Sequence, residues 1–166
     1  MAWSGTYTIS GTNGSTATVT WSVIGQSVEN NYSSVTAKVR VNYPKQVVVG
    51  ESYDTSAKNY ITSTATCDIH GYSKTGSQSM HRAMSGATPI SSMSASPTHD
   101  ADGTKSIRIS VNYTITSGGG YYSASGSGSF WVDLPPINRQ ATLLTVPNFT
   151  DEENPTITYT NPIGEG

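Results

Sequence analysis

Apolar and polar residues alternate along much of this chain with a period of two, and helical spacing is nearly absent. In "TVTWSVI", Val19, Trp21 and Val23 share one face and Thr18, Thr20 and Ser22 the other. In "VTAKVRVNY", Val35, Ala37, Val39, Val41 and Tyr43 point one way, while Thr36, Lys38, Arg40 and Asn42 point the other. The run from Tyr60 to Tyr72 alternates more weakly, with Ile61, Ala65, Cys67 and Ile69 on one side. The clearest case is Ile107, Ile109, Val111, Tyr113 and Ile115, opposed by Arg108, Ser110, Asn112 and Thr114. Each pattern predicts a half-buried strand of an antiparallel sheet with one wet face.

Two further strands are expected at 90–97 ("ISSMSASP") and 121–132 ("YYSASGSGSFWV"). The second is rich in Gly and Ser, which pack poorly, so it needs strong pairing or a close neighbour. Gly118-Gly119-Gly120 reads as the hairpin connection leading into it. Seven or so strands separated by turn signals predict an all-β fold, an antiparallel β-sandwich of Ig-like or jelly-roll-like type. "DLPPINRQ" at 133–140 interrupts the pattern, because consecutive prolines cannot donate ladder hydrogen bonds. The expected organisation is a sandwich module over 1–135, then an extended segment over 136–166 that holds a linker and the truncated start of a second module. The β-prone run "PTITYTNP" in that segment could pair with a sheet edge, its own or a neighbour's.

Composition narrows the function classes. Only 12% of residues are charged and the formal net charge is −2, so no basic patch favours nucleic acid. Ser and Thr exceed a quarter of the chain, and 10 Tyr outnumber 2 Phe, which suits strands with hydroxyl-rich outer faces. One cysteine excludes an intrachain disulfide. No apolar run reaches bilayer length, so no membrane partner is expected. The N-terminus lacks a basic start and apolar run, which predicts synthesis in a cytoplasm without a signal peptide.

Candidate chemistry is sparse. Asp100-Ala-Asp102-Gly103 resembles the start of a calcium loop, with Asp100, Asp102 and Thr104 at the first, third and fifth positions. The twelfth position, where a bidentate Glu belongs, is Val111, a strand core residue. Asp-Gly between two alternating segments instead predicts a hairpin, with His99 capping or solvating Asp100. Cys67 and His70 have a C-x-x-H spacing, but residues three apart on a strand face opposite ways, so no metal site is expected. No G-x-S-x-G elbow is present. The acids fall in turns (Asp54, Asp100, Asp102), at the boundary (Asp133), in the tail (Asp151-Glu152-Glu153) or on a polar strand face (Asp68), so nothing forces two carboxylates together and no enzyme is expected. No cofactor is implied either. Ligand binding has more support, because Tyr53, Tyr60, Tyr72, Tyr121 and Tyr122 lie near strand ends or loops, as does Tyr32. Aromatic faces flanked by Asn, Asp and Ser suit a sugar, which stacks one face and hydrogen-bonds its hydroxyls; they equally suit a sandwich rim.

Three segments together carry a resemblance. "TVTWSVIGQSVENNYSSVTAKVRV" has a Trp-containing strand (Trp21), a "Q-x-V-x-N-N-x-S-x-V" loop from Gln26 to Val35, and an alternating strand. "THDADGTKSIRISVNYTI" is similar to a "T-H-N-A-D-G-T-K-S-V" hairpin, with Asp100 where Asn is common. "SGSGSFWVDLPPINRQATL" is similar to a closing strand and an "I-P-R-A-S" style linker, with Pro135-Pro136-Ile137-Asn138-Arg139 departing from the usual form. So read, the chain resembles minor structural proteins of tailed phages that infect Gram-positive bacteria. The likeness covers most of the chain outside about Pro44 to Pro89, and "NFTDEENPTITYTNPIG" resembles the start of a following module. The resemblance implies a non-catalytic virion protein of the tail tip or baseplate, made in the host cytoplasm and supporting host-surface attachment. Expected partners are other phage tail proteins and, as a competing reading, bacterial cell-wall polysaccharide bound directly. A cell-wall hydrolase-associated domain is a third reading. A homo-oligomer, trimer or dimer, fits such devices.

Overall fold

The computed structural model describes residues 2–46, 60–120 and 122–138. These build eight strands: β1 (Ser4–Ser10), β2 (Thr16–Ser27), β3 (Tyr32–Asn42), β4 (Tyr60–Ile69), β5 (Tyr72–His81), β6 (Gly86–Ala95), β7 (Ser106–Ser117) and β8 (Ala124–Asp133). They form two antiparallel four-stranded sheets, ordered β1-β2-β3-β6 and β5-β4-β7-β8. The sheets pack face to face as a β-sandwich. β3 pairs with β6 in one sheet while the β4–β5 hairpin between them belongs to the other, so the chain crosses between layers three times.

The alternation read from sequence is the burial pattern. Val19, Trp21, Val23, Val35, Ala37, Val39, Val41 and Tyr43 supply one inner face; Ile61, Ala65, Cys67, Ile69 and the five apolar residues from Ile107 to Ile115 supply the other. The glycine-rich β8 does have close neighbours. A Cβ at Gly126 would come within 2.7 Å of the Tyr113 ring, and one at Gly128 within 3.1 Å of Ile9. Bare backbone there lets Tyr113 lie in the core with its hydroxyl 2.8 Å from that of Ser15.

Three expectations need correction. The run from Tyr60 to Tyr72 is not one strand, because the chain turns back at His70 and Gly71, both at positive φ, and Tyr72 opens β5 opposite Ile69. A His-Gly turn carries none of the usual Asn-Gly or Asp-Gly signal, although His is among the residues enriched at positive φ. β1 and β5 were not legible as strands, since β5 ("YSKTGSQSMH") has few apolar residues to alternate. The turn at Asp100–Gly103 is real, with Gly103 N–H donating to the Asp100 carbonyl and Gly103 at positive φ. It is not a β-hairpin, however: β6 and β7 lie in different sheets, and the turn sits in the crossing between them.

His99 also differs from expectation. It is buried rather than solvating Asp100. Its Nδ1–H donates to the Gly103 carbonyl at 2.7 Å, leaving Nε2 to face the Ser33 hydroxyl at 2.6 Å. Around it, Asn31 donates to the carbonyls of His99 and Asp100, and Gln26 donates to Ser33 and to the Pro135 carbonyl. The motif residues Gln26, Asn31, Ser33, His99 and Gly103 thus form one hydrogen-bonded clamp at one end of the sandwich. The closing segment joins it. Leu134 and Ile137 are buried, and their backbone N–H groups donate to Lys105 and Gly103. The chain therefore stays packed on the sandwich through Ile137.

Two outcomes follow. His99→Ala removes both ring hydrogen bonds and opens a void, and should cost about 1–3 kcal/mol in urea unfolding; an unchanged midpoint would show that the clamp adds nothing. Cys67 lies fully in the core, and burial pushes its thiol up to about 12. It should resist alkylation at mildly alkaline pH in the folded protein and react once urea unfolds it, as mass spectrometry of pulse-labelled samples would report.

Candidate functional site

The outward face of the second sheet ends in a shallow cleft of about 630 Å³ lined by Asp68, His70, Gly71, Arg108, Ser110 and Trp131. Strand register assembles it. Asp68 stands opposite Ser110 across the β4–β7 ladder, and Arg108 stands opposite Trp131 across β7–β8. The His70 backbone N–H donates to the Arg108 carbonyl at 2.9 Å, which fixes the β4–β5 turn over β7. Phe130 and Trp131 are consecutive, so they face opposite ways. Phe130 turns toward the sandwich and stacks on Tyr7 at 4.4 Å, which leaves Trp131 outside at 65% exposure.

Asp68 organises the cleft. Its carboxylate accepts the Gly71 N–H at 2.7 Å and the Ser73 hydroxyl at 2.7 Å. These two donors hold its carboxyl below the usual carboxylate range, and the charges of Arg108 and His70 add to the effect. Among the described residues the Arg108 guanidinium has no hydrogen-bond partner, only this electrostatic pairing with Asp68, so its donors are open to a ligand. An exposed indole beside a free guanidinium and an ionised carboxylate can stack on an apolar ring face and bind hydroxyls around it. Trp131 also borders a second cleft, at the seam between β1 and β8, with Gly5, Tyr7, Trp21 and Phe130. There Gly5 lies against the Trp21 indole, where a Cβ would come within 2.9 Å.

The tyrosines expected to bind ligand do not form one group. Tyr53 and Tyr121 lie outside the described residues. Tyr72 is 59% exposed at the start of β5, at the same end as the Trp131 cleft, and lines a neighbouring hollow with His70, Ser94 and Pro97. Tyr60 is at the opposite end, half-buried and edge-on to His81 at 5.7 Å. Tyr122 shares that end, where its hydroxyl donates to the Asn13 carbonyl and its ring packs 5.8 Å from Tyr43. That tyrosine ties two loops together.

Acids and histidines stay apart from one another in the main. Among the described residues no three His, Cys, Asp or Glu side chains gather as a metal site. Asp100 and Asp133 do line one cleft of about 510 Å³. Asp100 is 67% exposed and pairs with Lys105 at 3.8 Å, while Asp133 accepts the Ser106 hydroxyl.

No family model and no curated protein matches this chain.

Trp131 and Arg108 were missed as site residues, although a signal was present. Two adjacent aromatics in an alternating strand must place one outside, and Val132 in the core assigns that place to Trp131.

Asp68 also sets a pH dependence. A carboxyl depressed by folding adds stability above its unfolded pKa of about 3.9, and that stability disappears as pH falls through the lower folded value. Asp68→Asn should therefore flatten the acid limb of stability below about pH 4. It should not abolish that limb, because the Thr104 backbone N–H and hydroxyl depress Asp102 in the same direction. Thermal melts between acid and neutral pH provide the check, and parallel curves for the two proteins would refute the assignment.

Proposed function

We propose that this chain is a non-catalytic β-sandwich module of a phage tail tip or baseplate that supports attachment to the host surface, and that it does so by binding a cell-wall saccharide in the Trp131 cleft. The observation that carries the binding reading is the exposed Trp131 indole facing the unengaged Arg108 guanidinium across one ladder pair. The virion reading is supported by the resemblance of its motif segments, and by the way Gln26, Asn31, Ser33, His99 and Gly103 meet in a single clamp. That clamp gives the shared motif a structural purpose: it holds the closing segment through Ile137 against the sandwich. The partners so implied are other tail proteins on one side and wall polysaccharide on the other.

A sugar in the cleft would lay its C–H face on Trp131 and present hydroxyls to Arg108, Ser110 and Asp68. No residue there needs to transfer a proton, so the outcome is retention of ligand without cleavage.

Calorimetric titration with wall polysaccharide from Gram-positive bacteria tests the reading. Saturable binding is expected, and Trp131→Ala and Arg108→Ala should each weaken it about tenfold or more, roughly 1.4 kcal/mol, with the melting temperature preserved. Binding that survives Trp131→Ala would move the site elsewhere. Absence of binding by the folded protein would leave a spacer that holds the recognition device.

A further inference from the structure

The outer face of the second sheet beyond the Trp131 cleft is a lattice of small hydroxyl side chains. Ladder register sets its rows. Ser73, Asp68, Ser110 and Ser129 form the first; Thr75, Thr66, Asn112 and Ser127 the second; Ser77, Thr64, Thr114 and Ser125 the third. Ser79, Thr62 and Thr116 continue it. Across β4 and β5 the hydroxyls pair directly, Thr62 with Ser79 at 2.7 Å, Thr64 with Ser77 at 2.7 Å, and Thr66 with Thr75 at 2.8 Å. The one charged side chain in these rows is Asp68. Aromatic groups stand at both ends, Trp131 at one and Tyr60 edge-on to His81 at the other.

We propose that this face is a continuous platform for a neutral, linear polysaccharide lying along β4 and β7, with the Trp131 cleft as its terminal subsite. The inference rests on the saccharide reading of that cleft and extends it to a ligand class and a length. At about 3.3 Å per residue, the path from Arg108 to Thr116 is roughly 26 Å long, and four strands give a width of roughly 14 Å. That is room for several sugar rings in a row.

Charge selects the occupant. Anionic chains would find Arg108 and His70 beside Asp68 at the cleft end and no cationic side chain in the lattice rows. A protein partner would find no aliphatic or aromatic anchor between the two ends, where binding hot spots normally sit. A polyhydroxylated neutral chain is matched throughout, since each paired Ser or Thr hydroxyl still offers a lone pair outward. Thr is stiff at χ1, so these groups are held in place before the ligand arrives.

Fragment length and a central block test this together. A neutral wall polysaccharide that binds the protein is cut to disaccharide, tetrasaccharide and octasaccharide and titrated by calorimetry, with sedimentation to record self-association. Affinity should rise about tenfold or more from disaccharide to octasaccharide. Thr64→Glu, outward and about 13 Å along β4 from Asp68, should return the octasaccharide to the affinity of the disaccharide and leave the disaccharide unchanged. Thr114→Lys, its ladder partner on β7, serves the same purpose if the first variant fails to fold. Equal affinity at every length, or an octasaccharide indifferent to both variants, overturns the platform while the Trp131 cleft stands. Preferential binding of acidic fragments, or a dimer abolished by Thr64→Glu, overturns the assigned occupant. Loss of binding by every fragment, with Trp131 intact, overturns the cleft and the platform alike.

Discussion

A one-residue slip in β4 would bring Thr62, Thr64, Thr66 and Asp68 into the core and put Ile61, Ala65, Cys67 and Ile69 in water. Burial of one face of each sheet therefore fixes register, and register fixes everything outside. The same pairing that sets Cys67 against Val111 sets Asp68 against Ser110. The pairing of Ile109 with Phe130 sets Arg108 against Trp131 one step along. The outer lattice and the cleft at its end are thus the reverse side of the core. Outside the strands, only the tight β4–β5 turn at His70 and Gly71 contributes to the cleft.

Loops at the clamped end do a different task. Gln26 donates to Ser33 and the Pro135 carbonyl, Asn31 to the His99 and Asp100 carbonyls, and His99 joins Ser33 to the Gly103 carbonyl, in a region where three connections meet. Buried polar groups of this kind are costly when one partner is missing, so the clamp favours a single arrangement of these connections. It lies at the same end of the sandwich as the Trp131 cleft, beside the cleft lined by Asp100 and Asp133, and the Ile137 N–H bonded to the Gly103 carbonyl ties the closing segment to it.

The core was legible because it rests on alternation alone: every residue assigned to the inner face of β2, β3 and β7 is buried. What failed were features that depend on the partner strand. β5 is an edge strand whose inward positions include Lys74, Gly76 and Gln78, so it shows no apolar stripe; Lys74 instead donates to the Ser92 carbonyl, and Gln78 accepts the Thr88 N–H. The Asp100–Gly103 turn looked like a hairpin because Asp-Gly specifies local backbone and says nothing about which sheet the next strand joins. For the site, tyrosine count drew attention to loops, whereas an exposed aromatic on a strand is found by asking which of two neighbours must face out. For Phe130 and Trp131, alternation with the inward Val132 gives Trp131 the outer position.

With Asp68 the one charge in the lattice rows, charged side chains give this sheet little protection against edge-to-edge association, and the fold supplies it by other means. β1 and β8, the free edges on one side, are drawn together at both ends by Ala2 N–H to the Asp133 carbonyl and Thr12 N–H to the Ser125 carbonyl, with the Tyr7–Phe130 stack between. On the other side β5 and β6 close against each other, with Gly76 so near the Pro89 carbonyl that no side chain would fit and Pro89 withholding an N–H from the edge. Edges guarded by geometry do not need Lys or Glu on the adjoining faces. A sheet face freed from that duty can keep small hydroxylated side chains, which cost little desolvation of charge when a neutral ligand is laid on them, as the proposed platform requires.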